Sequence, residues 1–341
     1  MKYKDSGVNI NQANETVKDI KDLVKSTYSK NVLSDIGTFG SMYSGKFLGY
    51  KNPVLISSCD GVGTKVLIAE QVNFFDNLGE DIVNHSVNDI LAVGAKPLYF
   101  LDYIGMGKLD RKIVNRIITS MVNACKKNSL SLVGGELAEM SDVYNFTHYD
   151  IVGFIVGICE KDKLITGKKI KTGDQIFGLF SNGFHTNGYS LIRRIIKEKN
   201  LDLKKSLNNS KEPLYRELLK PHRSYFKEVY PLIEHKKVKG IAHITGGGFK
   251  DNIKRILPDK VDALIDTSSW EVPDLFKNFC ELGNVEFEEA YRVFNMGIGI
   301  VLIVDKKDVL DVENFFKKIK IEYRKIGNIV SGRGNVSLIR K

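Results

Sequence analysis

The amino-acid sequence predicts a mixed α/β protein of two domains, and three observations carry that expectation. The chain has 341 residues, against roughly 100–200 for a single domain. Short apolar runs of strand length alternate with segments of helical period from one end to the other. Near the middle, residues 160–173 carry five lysines and two glycines and read as a linker. The boundary is expected near Gly167, giving an N-terminal domain of 1–167 and a C-terminal domain of 168–341.

The elements follow in order. A polar-start helix is expected over 11–28, a strand over 54–58 where PVLISS is continuously strand-forming, and a helix over 78–93. A strand at 98–103 leads to Asp110, a good helix N-cap, and a helix to about residue 127. Strands at 130–133 and 149–159 complete the first half. The second half predicts strands at 175–180, 240–244, 263–266, 298–304 and 321–329, and helices at 189–199, 224–234, 274–282 and 307–320. No repeat of fixed period and no low-complexity tract is present.

Composition excludes several classes. With 43% hydrophobic and 27% charged residues the chain is globular rather than disordered. Its longest apolar run, 296–304, is nine residues, about half of the roughly 20 that span a bilayer. The first residues, MKYKD, hold no apolar signal core, so a cytoplasmic protein is expected. Cys59, Cys125, Cys159 and Cys280 form no C-x-x-C and are expected to be buried thiols rather than a zinc or redox site.

The net charge of +10 invites a nucleic-acid reading, but 40 of the 51 basic residues are lysine and no binding motif accompanies them. No nucleic-acid or membrane partner is expected. The charge is unevenly spread: 1–167 is net −1 and 168–341 is net +11. Residues 66–95 contain no Lys or Arg, yet hold Glu70, Asp76, Glu80, Asp81 and Asp89. Such a cluster is costly unless solvent, a metal or a partner segment neutralises it.

Five segments are candidate sites. In DGVGTK, after the first strand, Asp60 suits a divalent cation, Gly61 and Gly63 allow close backbone approach, and Thr64 and Lys65 suit phosphate; an ordinary D-G turn is the plain alternative. At about 100° per residue, helix 78–93 gathers Val83, Val87, Ile90 and Leu91 on one face and Asp81, Asn84, His85, Asn88 and Asp89 on the other. The ligand reading of that polar face pairs Asp89 with Asp60 on a metal; the alternative is a solvated face. Gly134, Gly135 and Glu136 follow a strand and offer backbone amides to a nucleotide, or form a plain turn. The loop Ser181-Asn182-Gly183-Phe184-His185-Thr186-Asn187-Gly188 leads into a helix and offers an anion its amides and hydroxyls. In HITGGGF, Thr245, Gly246, Gly247 and Gly248 read as a phosphate nest between strand and helix, or as a flexible connector. Residues 40–46 fit G-x-x-x-x-G-K, but Phe47 replaces the Ser or Thr of a true phosphate loop.

Taken together, YKDSGV (3–8), DGVGTK (60–65), VNDI and GAKPL (87–98), FLDY (100–103), LVGGELAEM (132–140), NGYSL (187–191) and HITGGGF (243–249) resemble the phosphoribosylformylglycinamidine cyclo-ligase, or AIR synthetase, family of purine biosynthesis. The series covers nearly the whole chain, with departures at Asn9 and Leu137, where the family carries Asp and Thr. The resemblance implies two α/β domains, with N-terminal domains pairing into a β-barrel in a homodimer. It implies ATP and Mg²⁺ as cofactors and formylglycinamidine ribonucleotide as substrate. The ATP and metal contacts would be Asp60, Gly61, Gly63, Thr64, Lys65, Asn88, Asp89 and Gly134 to Glu136, the last a nucleotide contact donated across the dimer. Substrate contacts would be Ser181, His185, Asn187, Gly188 and Thr245 to Gly248. Lys65 is expected on the polyphosphate and His185 as a proton carrier. Sister enzymes of the same fold, which phosphorylate thiamine monophosphate or make selenophosphate, and a non-catalytic nucleic-acid protein are the alternatives.

Overall fold

The computed structural model describes residues 10–208 and 210–340; the YKDSGV motif and Asn9 lie outside the described residues. The chain divides into two compact units. The first holds the described residues up to Ile90, then Lys96–Glu160 and Asp202–His222; the second holds Leu91–Ala95, Lys161–Leu201 and the described residues from Arg223 onward. The division therefore falls after Glu160 rather than at Gly167, and 202–222 returns to the first unit.

The first unit opens with helix α1 (Ile10–Lys25) and strand β1 (Pro53–Gly61). A short helix α2 (Val66–Val72) precedes α3 (Leu78–Ala92), whose Val83, Val87, Ile90 and Leu91 are all buried, as their helical spacing requires. Strand β2 (Lys96–Met106) is followed by α4 (Arg111–Lys127), capped as expected by Asp110, which accepts from the amides of Lys112 at 2.8 Å and Ile113 at 3.3 Å. Strands β3 (Ser131–Glu139) and β4 (Tyr149–Glu160) complete a sheet of order β1-β4-β2-β3. Only the β2–β3 pair is parallel. One row of this sheet joins Asp60 to Gly153, Gly153 to Asp102 and Asp102 to Gly135. Side chains paired in a row share a face, so Asp60 and Asp102 both face the helices.

The second unit pairs β5 (Gln175–Phe180) with later strands and carries α5 (Tyr189–Glu198). The return segment of the first unit contributes α6 (Leu214–Leu218). Then follow α7 (Phe226–Glu234), β6 (Gly240–His243), α8 (Gly248–Lys254), β7 (Val261–Asp266), α9 (Asp274–Leu282), α10 (Phe287–Val293), β8 (Ile298–Val304), α11 (Val309–Lys318), β9 (Tyr323–Ser331) and β10 (Val336–Ile339). The sheet order is β10-β7-β9-β5-β8-β6, mixed in direction. Strand β8, the apolar run singled out above, is buried at every position.

The expected strands are present, but β1 and β3 run further than their apolar cores suggest. Asp60 and Gly61, and likewise Gly134 to Glu136, lie in strand rather than in turns. Helices α2, α6, α8 and α10 and strand β10 have too few residues to show a period, so the sequence does not announce them. Cys125 and Cys159 are buried as expected, whereas Cys59 is exposed and Cys280 intermediate. Among the described residues no helix is long and apolar enough to cross a membrane.

Candidate functional site

In the first unit, the end of β1 and the polar face of α3 bring Asp60 and Asp89 to one imidazole. His85 Nε2 lies 3.0 Å from Asp60 Oδ2 and 3.5 Å from Asp89 Oδ2. Ser58 Oγ donates to Asp89 Oδ2 at 3.3 Å, and the Gly61 amide donates to Asp60 Oδ1 at 2.7 Å. Asp60 is half exposed and Asp89 a quarter exposed, while His85 is buried at their back. Burial works against the Asp60 charge, but hydrogen bonding and attraction from His85 outweigh it and hold the carboxyl below its usual range. Burial likewise pulls His85 down, and the surrounding carboxylates, Asp60 first, more than reverse that. Two solvent-accessible carboxylates with an adjacent hydroxyl form a hard, oxygen-rich donor set of the kind Mg²⁺ prefers. Gly63, at φ +67°, has no atom within 4 Å of the place a Cβ would occupy, so the chain is open after β1.

Lys65 is elsewhere. Its side chain is fully buried, and Nζ donates to Asp81 Oδ1 and to the Lys220 carbonyl, both at 2.7 Å. This corrects its assignment to polyphosphate: the ammonium balances a buried carboxylate instead. Asp81 Oδ1 also accepts from the His222 amide at 2.7 Å, and Asn84 Nδ2 donates to the His222 carbonyl at 2.6 Å. Half of the polar face of α3 thus holds the return segment, and Asp81, Asn84, His85 and Asn88 are buried rather than solvated. Three of the five acids of the cation-free window find cations through space: Arg116 meets Asp76, Lys127 meets Glu80, and Lys65, one residue outside the window, meets Asp81.

The second unit brings together the 181–188 loop and the glycine loop after β6. Phe184 anchors the first among Phe276, Phe279 and Phe294, with ring centroids 4.4, 5.5 and 4.9 Å away. His185 follows in a left-handed backbone conformation, φ +63°, with a fully buried ring near Tyr225. Ser181 Oγ donates to Asn295 Oδ1 at 2.8 Å, so this hydroxyl already braces the loop. Asn187 Nδ2 is buried with no hydrogen-bond partner, and its Oδ1 lies 3.6 Å from the Cβ position of Gly246.

The glycines of these loops have different reasons. A Cβ at Gly248 would lie 1.9 Å from the Tyr291 carbonyl oxygen, and one at Gly188 would lie 2.6 Å from the Phe294 ring, so these two serve close packing. Gly246 faces open space apart from Asn187. Asn252 Nδ2 gathers the carbonyls of Thr245, Gly246 and Gly248 at 3.3, 3.3 and 2.8 Å, fixing the loop from behind. A Cβ at Gly247 would lie 2.7 Å from Asp251 Oδ2, so a carboxylate borders that position, and the candidate anion contacts narrow to Gly246 and the Asn187 amide.

Gly134, Gly135 and Glu136 lie on β3 beside β2, away from any turn. A Cβ on Gly135 would come 2.4 Å from Asp102 Oδ1, so glycine is required by that carboxyl. Burial pushes Asp102 up to about 7. A native value above the ordinary 3.8 gives stability that is complete at low pH and is lost as the pH rises toward 7. The thermal midpoint of the wild type should accordingly fall against that of Asp102→Asn between about pH 4.5 and 7.5; a constant difference would contradict a protonated native carboxyl.

Sequence patterning alone places His85 on the right helix face but does not mark it as a bridging group. It also leaves out Asp102, inside FLDY, and Arg223, whose Nη1 donates to the Phe180 carbonyl at 2.7 Å at the start of the 181–188 loop. The run Lys220-Pro221-His222-Arg223 is the available signal for Arg223.

Comparison with known proteins adds an independent line. Residues 49–159 match the family described as AIR synthase related protein, N-terminal domain, and residues 171–339 match its C-terminal domain. The chain is 45% identical over 338 residues to a phosphoribosylformylglycinamidine cyclo-ligase of Alkaliphilus oremlandii, covering 98% of this chain and 99% of the relative. It is 46% identical over 338 residues to that of Caldicellulosiruptor bescii, again covering 98% and 99%. Among solved structures, hydrogenase maturation protein HypE in complex with ATP superposes with TM-score 0.70 at 15% identity, over 98% of this chain and 93% of that one. Thiamine-monophosphate kinase from Stenotrophomonas maltophilia gives 0.68 at 13% identity, over 94% and 95%. At such identities these structures share the fold alone.

Proposed function

The chain belongs to the phosphoribosylformylglycinamidine cyclo-ligase family, and from that we propose that it closes formylglycinamidine ribonucleotide to 5-aminoimidazole ribonucleotide, consuming ATP and releasing ADP and phosphate. The observation that carries the reading is the Asp60–His85–Asp89 cluster at the open end of β1.

The difficulty of the reaction is that an amide oxygen leaves poorly at neutral pH. Transfer of the γ-phosphoryl group to the formamide oxygen makes a leaving group of it; an internal nitrogen then attacks the formyl carbon and the C–O bond breaks, expelling phosphate. Phosphoryl transfer of this kind depends on positioning and on charge neutralisation, with no nucleophilic side chain needed. Asp60 and Asp89 would hold Mg²⁺, which when bound shields the phosphate charge. His85 and the Gly61 amide fix the Asp60 carboxylate, and Ser58 fixes that of Asp89. In the second unit, the Gly246 amide and Asn187 suit the substrate's phosphate, and the buried ring of His185 is the proton-carrier candidate. The test is direct: formylglycinamidine ribonucleotide, ATP and Mg²⁺ should yield the aminoimidazole product and ADP in equal amounts, and ADP release independent of that substrate would contradict the reading.

The homodimer is part of the same proposal. The outer face of the first sheet leaves Leu55 56% and Phe154 43% exposed, and the register places Cys59 beside Phe154 and Leu55 beside Ile158. An apolar sheet face open to water is a usual mark of an interface. Light scattering should give twice the chain mass of 38.4 kDa, and Leu55→Asp with Phe154→Asp should give the single chain mass. A wild-type monomer would contradict the pairing.

A further inference from the structure

The second unit holds a cavity of about 550 Å³ between the segment that follows β7 and helices α9 and α10, with Arg340 lining it from the end of the edge strand β10. That volume lies within the roughly 300–1,000 Å³ of small-molecule sites. One part of the lining is a continuous aromatic surface. Tyr291 packs against both Trp270 and Phe287, with ring centroids 6.2 and 4.6 Å away. The rings are held from behind: Trp270 Nε1 donates to the Met296 carbonyl at 3.0 Å, and fully buried Phe249 packs on Trp270 and Tyr291 at 5.8 and 5.6 Å. Phe287 is 39% exposed, so this surface reaches solvent. Val272, Val285 and Met296 add aliphatic contact.

The charges along the lining do not cancel. Lys277 meets Glu271 at 3.5 Å and Asp274 at 3.1 Å, so its ammonium is already answered. Arg340 has no ion pair among the described residues. Burial pushes the Tyr291 hydroxyl up to about 12, against the pull of Thr267 and of the Arg340 charge, so the phenol stays neutral. Burial likewise pushes the Cys280 thiol on α9 up to about 11, and it carries no negative charge at neutral pH. An aromatic wall beside an unanswered guanidinium suits a flat ring that bears an anion: the ring stacks on the wall, and the planar fork takes the two oxygens of a carboxylate. We propose that this cavity binds a planar bicyclic aromatic carboxylate, its ring on the Trp270, Tyr291 and Phe287 surface and its carboxylate on Arg340. Such a ligand touches none of the site residues named above, so the proposal stands apart from the cyclo-ligase reading.

Calorimetry on the full chain measures naphthoate and its uncharged counterpart naphthamide with wild type, Arg340→Gln and Phe287→Ala. Wild type should bind the carboxylate about three- to tenfold more tightly than the amide, the order of one charge-assisted contact at a partly exposed site. Arg340→Gln should bind the two equally. Phe287→Ala should weaken both by about threefold or more and keep the preference for the carboxylate. Arg340 and Phe287 are exposed, so both variants should retain the wild-type thermal midpoint. Occupancy is read independently at Cys280, which lines the cavity. Under mildly alkaline conditions, where thiolate begins to form, saturating naphthoate should slow its alkylation by iodoacetamide several-fold, while exposed Cys59 in the first unit reacts at an unchanged rate. Absence of naphthoate binding, equal affinity for naphthoate and naphthamide in wild type, a preference that survives Arg340→Gln, or undiminished alkylation of Cys280 at saturation would overturn the proposal.

Discussion

Lys65→Met should lower the unfolding free energy by about 3–5 kcal/mol, the range for removing one partner of a buried ion pair. Both side chains of the Lys65–Asp81 pair are fully buried, and the bond is 2.7 Å. The cost comes less from the lost attraction than from what stays behind. Asp81 Oδ2 is already buried without a hydrogen-bond partner, and without the ammonium the buried charge keeps only the His222 amide on Oδ1. Burial already pushes Asp81 up to about 6, so the variant should take up a proton there and fold better in mild acid than at neutral pH. The same change frees the Lys220 carbonyl and weakens the hold of α3 on the return segment, whose His222 ring lies 5.1 Å from that of His85. Urea unfolding followed by circular dichroism reads the effect. A change below about 0.5 kcal/mol, the size typical of surface substitutions, would contradict this account of Lys65. Asp81→Leu added to Lys65→Met should recover much of the loss, because removing both charges removes the desolvation problem with them.

The second large effect is expected on turnover. Asp60→Asn together with Asp89→Asn should reduce product formation by about 10³ or more, the order associated with losing a main electrostatic stabiliser of a transition state. Folding should change little, since Asp60 is half exposed and the two carboxylates face the same imidazole. Each single variant should raise the Mg²⁺ concentration needed for half-maximal rate. Full activity in the double variant would remove these two residues from the mechanism.

Much of the site was legible because period and chemistry coincide there. Helical spacing alone put His85 and Asp89 on one face of α3, and DGVGTK put Asp60 at the end of an apolar strand. Neutralisation was not legible, because it acts through space: Arg116 and Lys127 on α4 serve acids 40 and 47 residues earlier. Lys65 was misread for a related reason. A lysine following two glycines resembles a phosphate group's partner, and only the fold reveals that it turns inward to Asp81. Glycines pose the same ambiguity. In sequence, Gly246 and Gly248 are equivalent members of one run, whereas in the structure one faces open space and the other packs on the Tyr291 carbonyl. The extent of β3 was hidden because Gly134 and Gly135 look like a strand end, until Asp102 supplies the reason for glycine within a strand. The return of 202–222 to the first unit has no local signature, since nothing in its composition says which core receives Leu214, Leu218 and Leu219.

Following an ¹⁸O label on the formyl oxygen of the substrate tests the central chemistry most directly. If that oxygen accepts the γ-phosphoryl group and then departs with it, the label should appear in inorganic phosphate, one atom for each aminoimidazole ring formed. Label released into water while product and ADP accumulate would show that ring closure proceeds without phosphorylation of the oxygen, and the role given to Asp60 and Asp89 would fall with it.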